Sequence, residues 1–141
     1  MIFDVMNAIK QVLSNVADLE AIYIGIPEEP LEGKKNVATI HFAESEEFKF
    51  TTRGSKMNFS ISILIASRLS KLLEDYQKHI DLLETCKAKI LEDLHSPSST
   101  IRSALLSRGD YTTLSMALVR PPEGKEDIII HEIRLGLYYI A

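Results

Sequence analysis

Cysteine is almost missing from this sequence: Cys86 stands alone among 141 residues. One thiol closes no disulfide within the chain and has no companion for a structural zinc site, which favours a reducing compartment. Basic clusters are missing as well. Sixteen Lys and Arg face twenty Asp and Glu, a formal charge of −4, so the electrostatic footprint of a dedicated nucleic-acid binder is absent. No long apolar run occurs. The strongest, Ile61 to Ala66, falls far short of the roughly 20 residues a membrane-spanning helix needs. The opening Met1-Ile2-Phe3-Asp4-Val5-Met6 puts an acid where a secretory leader carries Lys or Arg. These absences predict a soluble chain, made in cytoplasm, with no membrane partner.

The remaining composition is that of a globular protein: 45% hydrophobic and 26% charged residues, at a length suited to one domain over 1–141. Ile2, Met6, Ile9, Leu13 and Val16, widened by Val5 and Val12, predict an amphipathic helix. Asp4 suits the positive end of its dipole. A short β run, Ala21 to Ile26, ends at Pro27 and Pro30. Three strands are expected next, at Val37–Phe42, at Glu47–Thr52 and at Met57–Ala66, with a turn over Arg53-Gly54-Ser55-Lys56. In the last strand Phe59, Ile61, Ile63 and Ile65 share one side, and a slip of one residue would bury Asn and Ser instead.

A long helical pattern follows, starting somewhere between Arg68 and Gln77 and ending near Leu94, before Pro97. Its expected stripe is Leu69, Leu73, Tyr76, Ile80, Leu83, Ile90 and Leu94, with Leu72, Cys86 and Leu91 beside it. Ser98-Ser99-Thr100 reads as a cap for a short helix through Leu106, closed by Gly109. Alternation resumes in Tyr111–Leu118. After a polar connection at 121–126 it continues through Ile129, His131, Ile133, Leu135, Leu137 and Tyr139. The order predicts an α+β fold: a mainly antiparallel sheet, an N-terminal helix and a longer central helix on one face, and a C-terminal β-hairpin.

Catalytic patterns are scarce. His131-Glu132 starts like a zinc-protease helix, but Leu135 stands where the second His belongs. His41 and His131 are candidates to meet across the sheet, although a satisfied strand histidine is the simpler reading. Cys86 sits in an apolar helical stripe and reads as packing, not as a nucleophile. The six glycines form no phosphate loop or nucleophile elbow. Acidic clusters at Glu28, Glu29 and Glu32 and at Glu44, Glu46 and Glu47 lack the pattern of a calcium loop. No metal, cofactor or catalytic residue is expected, and the chain does not read as an enzyme.

Element order carries more information. The helix Ile2–Val16, the stretch Asn36-Val37-Ala38-Thr39-Ile40, and the hairpin of Glu44–Phe50 and Met57–Ile65 come first. The helix ending near Leu94, Gly109-Asp110-Tyr111 and the final Gly136-Leu137-Tyr138-Tyr139-Ile140 follow. In this order the sequence resembles the tail terminator (tail-completion, minor tail) proteins of long-tailed bacteriophages and prophages. The resemblance implies a structural protein that assembles as a hexameric ring on a finished tail tube, stops its growth and meets the head connector. Its partners would be further copies of itself, the major tail tube protein and a head-completion protein. DNA would pass through without specific binding, and the chain would belong to the virion tail after assembly in the host cytoplasm.

Ring contacts are heterologous, so two different surfaces of each copy must match. Phe48, Phe50, Arg53 and Lys56 in the hairpin, and Arg120, Glu123 and Lys125 in the later connection, are the candidate contact residues. Glu44, Glu46 and Glu47 are candidate lumen-facing acids that would keep phosphates from sticking. Competing readings are a neck or head-completion protein at the same junction, a non-viral binding module with an exposed sheet, and an enzyme using His41 or His131 with nearby carboxylates.

Overall fold

A computed structural model describes residues 1–25, 31, 33–51, 54–106, 108–119 and 127–140, with the side chains of 46–51, 54, 55 and 72 left aside. The described chain runs α1 (Ile2–Leu13), β1 (Ala21–Ile24), β2 (Asn36–Thr51), β3 (Gly54–Arg68), α2 (Leu72–His95), α3 (Thr100–Ser103), β4 (Gly109–Val119) and β5 (Ile128–Ile140). The five strands form one sheet in the order β1-β2-β3-β5-β4. Every neighbouring pair is antiparallel except β1 with β2, which is parallel. The expected α+β class, helices and C-terminal hairpin are all present.

The core lies between the sheet and its helices. Alternation in β3 turns Phe59, Ile61, Ile63 and Ile65 to the helical side, beside Ala38 and Ile40 from β2 and Ile133, Leu135 and Leu137 from β5. Above them α1 contributes Val5, Met6, Ile9, Val12 and Leu13, and α2 contributes Leu82, Leu83, Cys86, Ile90 and Leu94. Each such side chain contributes about 1.5–3 kcal/mol by leaving water. The helix-free face is not simply wet: a second, small core of Leu31, Val37 and Ala66 covers one end, packed by Tyr23, Ile128 and Ile130.

Three expectations change in detail. The strands expected at Val37–Phe42 and Glu47–Thr52 are one continuous β2 of 16 residues, about 50 Å of strand. A register shift between Phe42 and Glu44 absorbs the change of phase there: a bulge at Ala43 adds a residue without ending the ladder, and the acidic run that read as a break is paired with β3. The stripe on α2 is displaced in its first turns. Leu73 is 82% and Tyr76 45% exposed, while Asp75 and His79 are buried. α1 ends at Leu13, with Val16 packed in the following turn.

Polar caps explain where the helices begin. The carboxylate of Asp75 accepts from the N–H groups of Lys71 and Ser70, both at 2.7 Å, and from the Ser70 hydroxyl at 2.9 Å. Those bonds fold the chain into α2 at Leu72 and hold the carboxyl well below its ordinary range. At the far end, Asp93 accepts from the N–H of Thr100, the N–H of Ile101 and the Ser99 hydroxyl, at 2.8–3.0 Å. Ser99 caps α3 through the N–H of Arg102.

Gly109, expected to close that helix, instead opens β4. A methyl group there would lie 2.7 Å from the carbonyl oxygen of Tyr138 and 2.9 Å from Leu105 Cβ. Backbone cannot step aside as a long side chain can. Gly109→Ala is therefore expected to cost about 1–3 kcal/mol, read as a lower urea midpoint with an unchanged slope.

Candidate functional site

The functional geometry of this chain lies in its sheet edges and its helix-free face. Successive residues alternate in β2, β3 and β5, so one face goes to the core. The other brings His41, Ser62 and Arg134 into register across three strands, with Glu132 two residues along β5 on the same face. The Ser62 hydroxyl donates to Glu132 Oε2 at 2.5 Å, and Arg134 Nε donates to Glu132 Oε1 at 3.2 Å. Arg134 Nη1 also approaches Glu44 Oε1 at 3.6 Å. Burial pushes Glu132 up, but the Ser62 hydroxyl and the Arg134 guanidinium more than offset it, leaving the carboxyl below its ordinary range. Burial lowers His41 against the pull of Glu132. The arrangement is a partly exposed charge network in which Ser62, Glu132 and Arg134 satisfy one another, while His41 Nδ1 is buried without a hydrogen-bond partner among the described residues.

The expected meeting of His41 and His131 does not occur. His41 pairs in register with Ser62 and His131 with Ile65, which puts the two histidines on opposite faces. His131 meets His79 of α2 instead, with Nδ1 and Nε2 2.9 Å apart, and His79 Nδ1 lies 2.7 Å from Ser67 Oγ. His79 is 1% exposed. Burial, then the neighbouring His131, bring its ring down to about 4. Sequence reasoning missed this pair because His79 was hidden by the misphased α2 stripe; its spacing of four from both Asp75 and Leu83 was the available signal. Cys86 is fully buried, as expected, and burial pushes its thiol up to about 12.

Of the candidate contact residues, Lys56 is described: its ammonium sits 4.6 Å from the centroid of the Tyr138 ring, a contact worth about 0.5–1 kcal/mol at a surface. Phe48 and Phe50 lie in the distal half of β2, with Phe48 in register with Lys56. Glu44 belongs to the polar network, and Glu46 and Glu47 follow it along β2, in register with Asn58 and Met57. Arg53, Arg120, Glu123 and Lys125 fall outside the described residues, as do Glu28, Glu29 and Glu32.

The edges are the larger feature. β1 covers β2 only from Val37 to Ile40. Beyond it, among the described residues, β2 is paired on one side alone, and so is β4 along its whole length. Both edges expose apolar side chains, Phe42 on β2 and Met116 and Leu118 on β4. Among the described residues no three His, Cys, Asp or Glu are placed to hold a metal ion. None of the described helices is long and apolar enough to cross a membrane.

Among solved structures, the fold matches a chain from the virion of a native gene transfer agent particle, with a TM-score of 0.60. The match is one of fold. It covers 99% of this chain and 97% of that one at 14% sequence identity. No protein-family model matches the sequence, and no curated protein does.

Proposed function

We propose that this chain is a structural, non-catalytic component of a phage-like particle, and within it a tail terminator: a ring that caps the tail tube and joins it to the head. The carrying observation is the end-to-end fold likeness to a virion chain. The element order that resembles tail terminators points the same way. The open edges of β2 and β4 supply what a ring subunit needs, two different surfaces at opposite ends of one sheet.

On this reading the partners are further copies in a hexameric ring, the tail tube protein on one side and a head-completion protein on the other. The hairpin residues Phe48, Phe50, Arg53 and Lys56 and the connection residues Arg120, Glu123 and Lys125 make the tube and subunit contacts. Glu44, Glu46 and Glu47 line the passage, where carboxylates repel passing phosphates. The chain assembles in the host cytoplasm and ends in the virion tail.

Deleting the gene from the cell that makes the particles separates this reading from its neighbour. A missing terminator leaves tube growth unchecked, so overlong tails without heads are expected in negative-stain images. Tails of normal length that fail to join heads would reassign the chain to the neck. Intact, infectious or gene-transferring particles would remove it from the particle altogether.

A further inference from the structure

We propose that copies of this chain join edge to edge, the outer edge of β4 in one copy adding as an antiparallel strand to the free edge of β2 in the next. The inference rests on the ring reading above and names the surface that builds the ring.

Strand direction makes the pairing possible. β2, β3, β5 and β4 are successively antiparallel, so β4 runs opposite to β2. A neighbour related by rotation then sets its β2 against this β4 in antiparallel fashion, without inverting either copy. Length agrees too. β4 has 11 residues, and the part of β2 beyond its pairing with β1, His41 to Thr51, has the same number. Among the described residues each edge offers a row of N–H and C=O groups with no strand beside it, and pairing satisfies both rows at once.

Side chains disfavour the pairing of two β2 edges. Along its 11 residues β4 carries one charge, Asp110 at its start, whereas the free part of β2 carries Glu44, Glu46 and Glu47 within four positions, followed by Lys49. Two β2 edges brought together would oppose carboxylates, which is destabilising across a strand pair. An acidic edge against one whose single charge, Asp110, lies at its far end avoids most of that repulsion. The apolar residues fall correctly as well. Phe42 is in register with Ile61, and Met116 and Leu118 are in register with Ile133 and His131, so all three lie on the helical face. In a continued sheet Phe42 of one copy packs along the Met116–Leu118 stripe of the next. At present these residues are 42%, 39% and 67% exposed.

The test uses two single variants, Phe42→Cys and Leu118→Cys, mixed and treated with a short bismaleimide. Both positions are exposed, and the native Cys86 is buried, so the reagent reads only the new thiols. A cross-linked dimer is expected from the mixture and from neither variant alone. The double variant Phe42→Cys with Leu118→Cys is expected to give a ladder ending at a closed ring. Products within one variant alone would mean a two-fold contact and overturn the pairing. So would a chain that stays monomeric and unlinked at its highest soluble concentration. Closed rings lacking the cross-link overturn edge pairing and leave the terminator reading standing. Linked chains that grow as open filaments keep the pairing and remove the ring.

Discussion

Acidification from pH 7 to pH 4 is expected to cost this fold about 3 kcal/mol through His79 alone. The ring is 1% exposed, and burial followed by the nearby His131 lowers it from an ordinary 6.5 to about 4. Above pH 6.5 the ring is neutral in the folded and unfolded chain alike, and stability does not depend on it. Between 6.5 and 4 the unfolded ring takes up a proton that the folded ring refuses. Stability therefore falls with falling pH across that window and levels off below it. An interval of about 2.5, at about 1.4 kcal/mol for each step of one, sets the size. His41 and His131 are lowered as well and add in the same direction.

Urea denaturation at pH 7 and at pH 4.5 measures the effect, and His79→Gln should remove most of the difference between them. An unchanged midpoint in the wild-type chain across that range would show that the ring is not held neutral. Asp75, Asp93 and Glu132 act at lower pH. Each is held below its ordinary range, so the stability each contributes at neutrality is lost as acid protonates it. A wild-type curve is thus expected to fall first through the histidines and again below pH 4.

Ile63→Ala is expected to cost about 2–5 kcal/mol, the range for emptying a fully buried aliphatic site. Ile63 is 0% exposed at the centre of the sheet, in register with Ile40 of β2 and Ile133 of β5. Both neighbours sit on ladders that hold the backbone in place, so the hole cannot collapse readily. For a chain of ordinary marginal stability that is a large share of the total. Equilibrium unfolding followed by circular dichroism gives the number. A cost under 1 kcal/mol would mean that the helical layer moves in to fill the space.

Ile63 is also where the sequence spoke most plainly. A strand packed by helices on one face must alternate, and the run Met57–Ala66 left a single register compatible with burying Phe59, Ile61, Ile63 and Ile65 together. The same rule located the core face of β5, and the helical period located the buried side of α1. It failed where another force set the phase. At Ala43 a bulge shifts the alternation, so a continuous strand looked like two strands with an acidic gap between them. In α2 the buried positions include Asp75 and His79, which hydropathy discounts. Their burial is permitted by hydrogen bonds to Ser70, Lys71, Ser67 and His131 that no periodicity reveals. The parallel pairing of β1 was hidden for a similar reason. Four residues, Ala21–Ile24, carry no mark of direction, and the small core of Leu31, Val37 and Ala66 that anchors them forms only after folding.

The candidate site was legible as chemistry and less so as geometry. The absence of catalytic spacing and the acidic stretch at Glu44–Glu47 could be read directly. Open strand edges could not, because an edge is defined by what fails to pair with it, and that depends on strand order. Exposure of Phe42, Met116 and Leu118 follows from the same order: each sits at a position whose alternation promises burial, on a strand with a neighbour on one side alone.

Among the described residues, two of the three register shifts in the sheet have a shared mechanical meaning. One lies between Phe42 and Glu44 in β2, the other between Tyr111 and Thr113 in β4. Traced through the register, Glu44 aligns with Ser60, Ser60 with Gly136, and Gly136 with Thr113. Both irregularities therefore meet one transverse line, and at that line β5 has a glycine with no side chain to brace it. A pleated sheet resists bending through its ladders and the side chains stacked across them. Here the β2–β3 and β4–β5 ladders are interrupted at one height, and the space over Gly136 is taken by the hydroxyls of Thr112 and Thr113. The sheet is scored like card along that line, and a load applied to its distal half would crease it there before disturbing the plate beneath the helices.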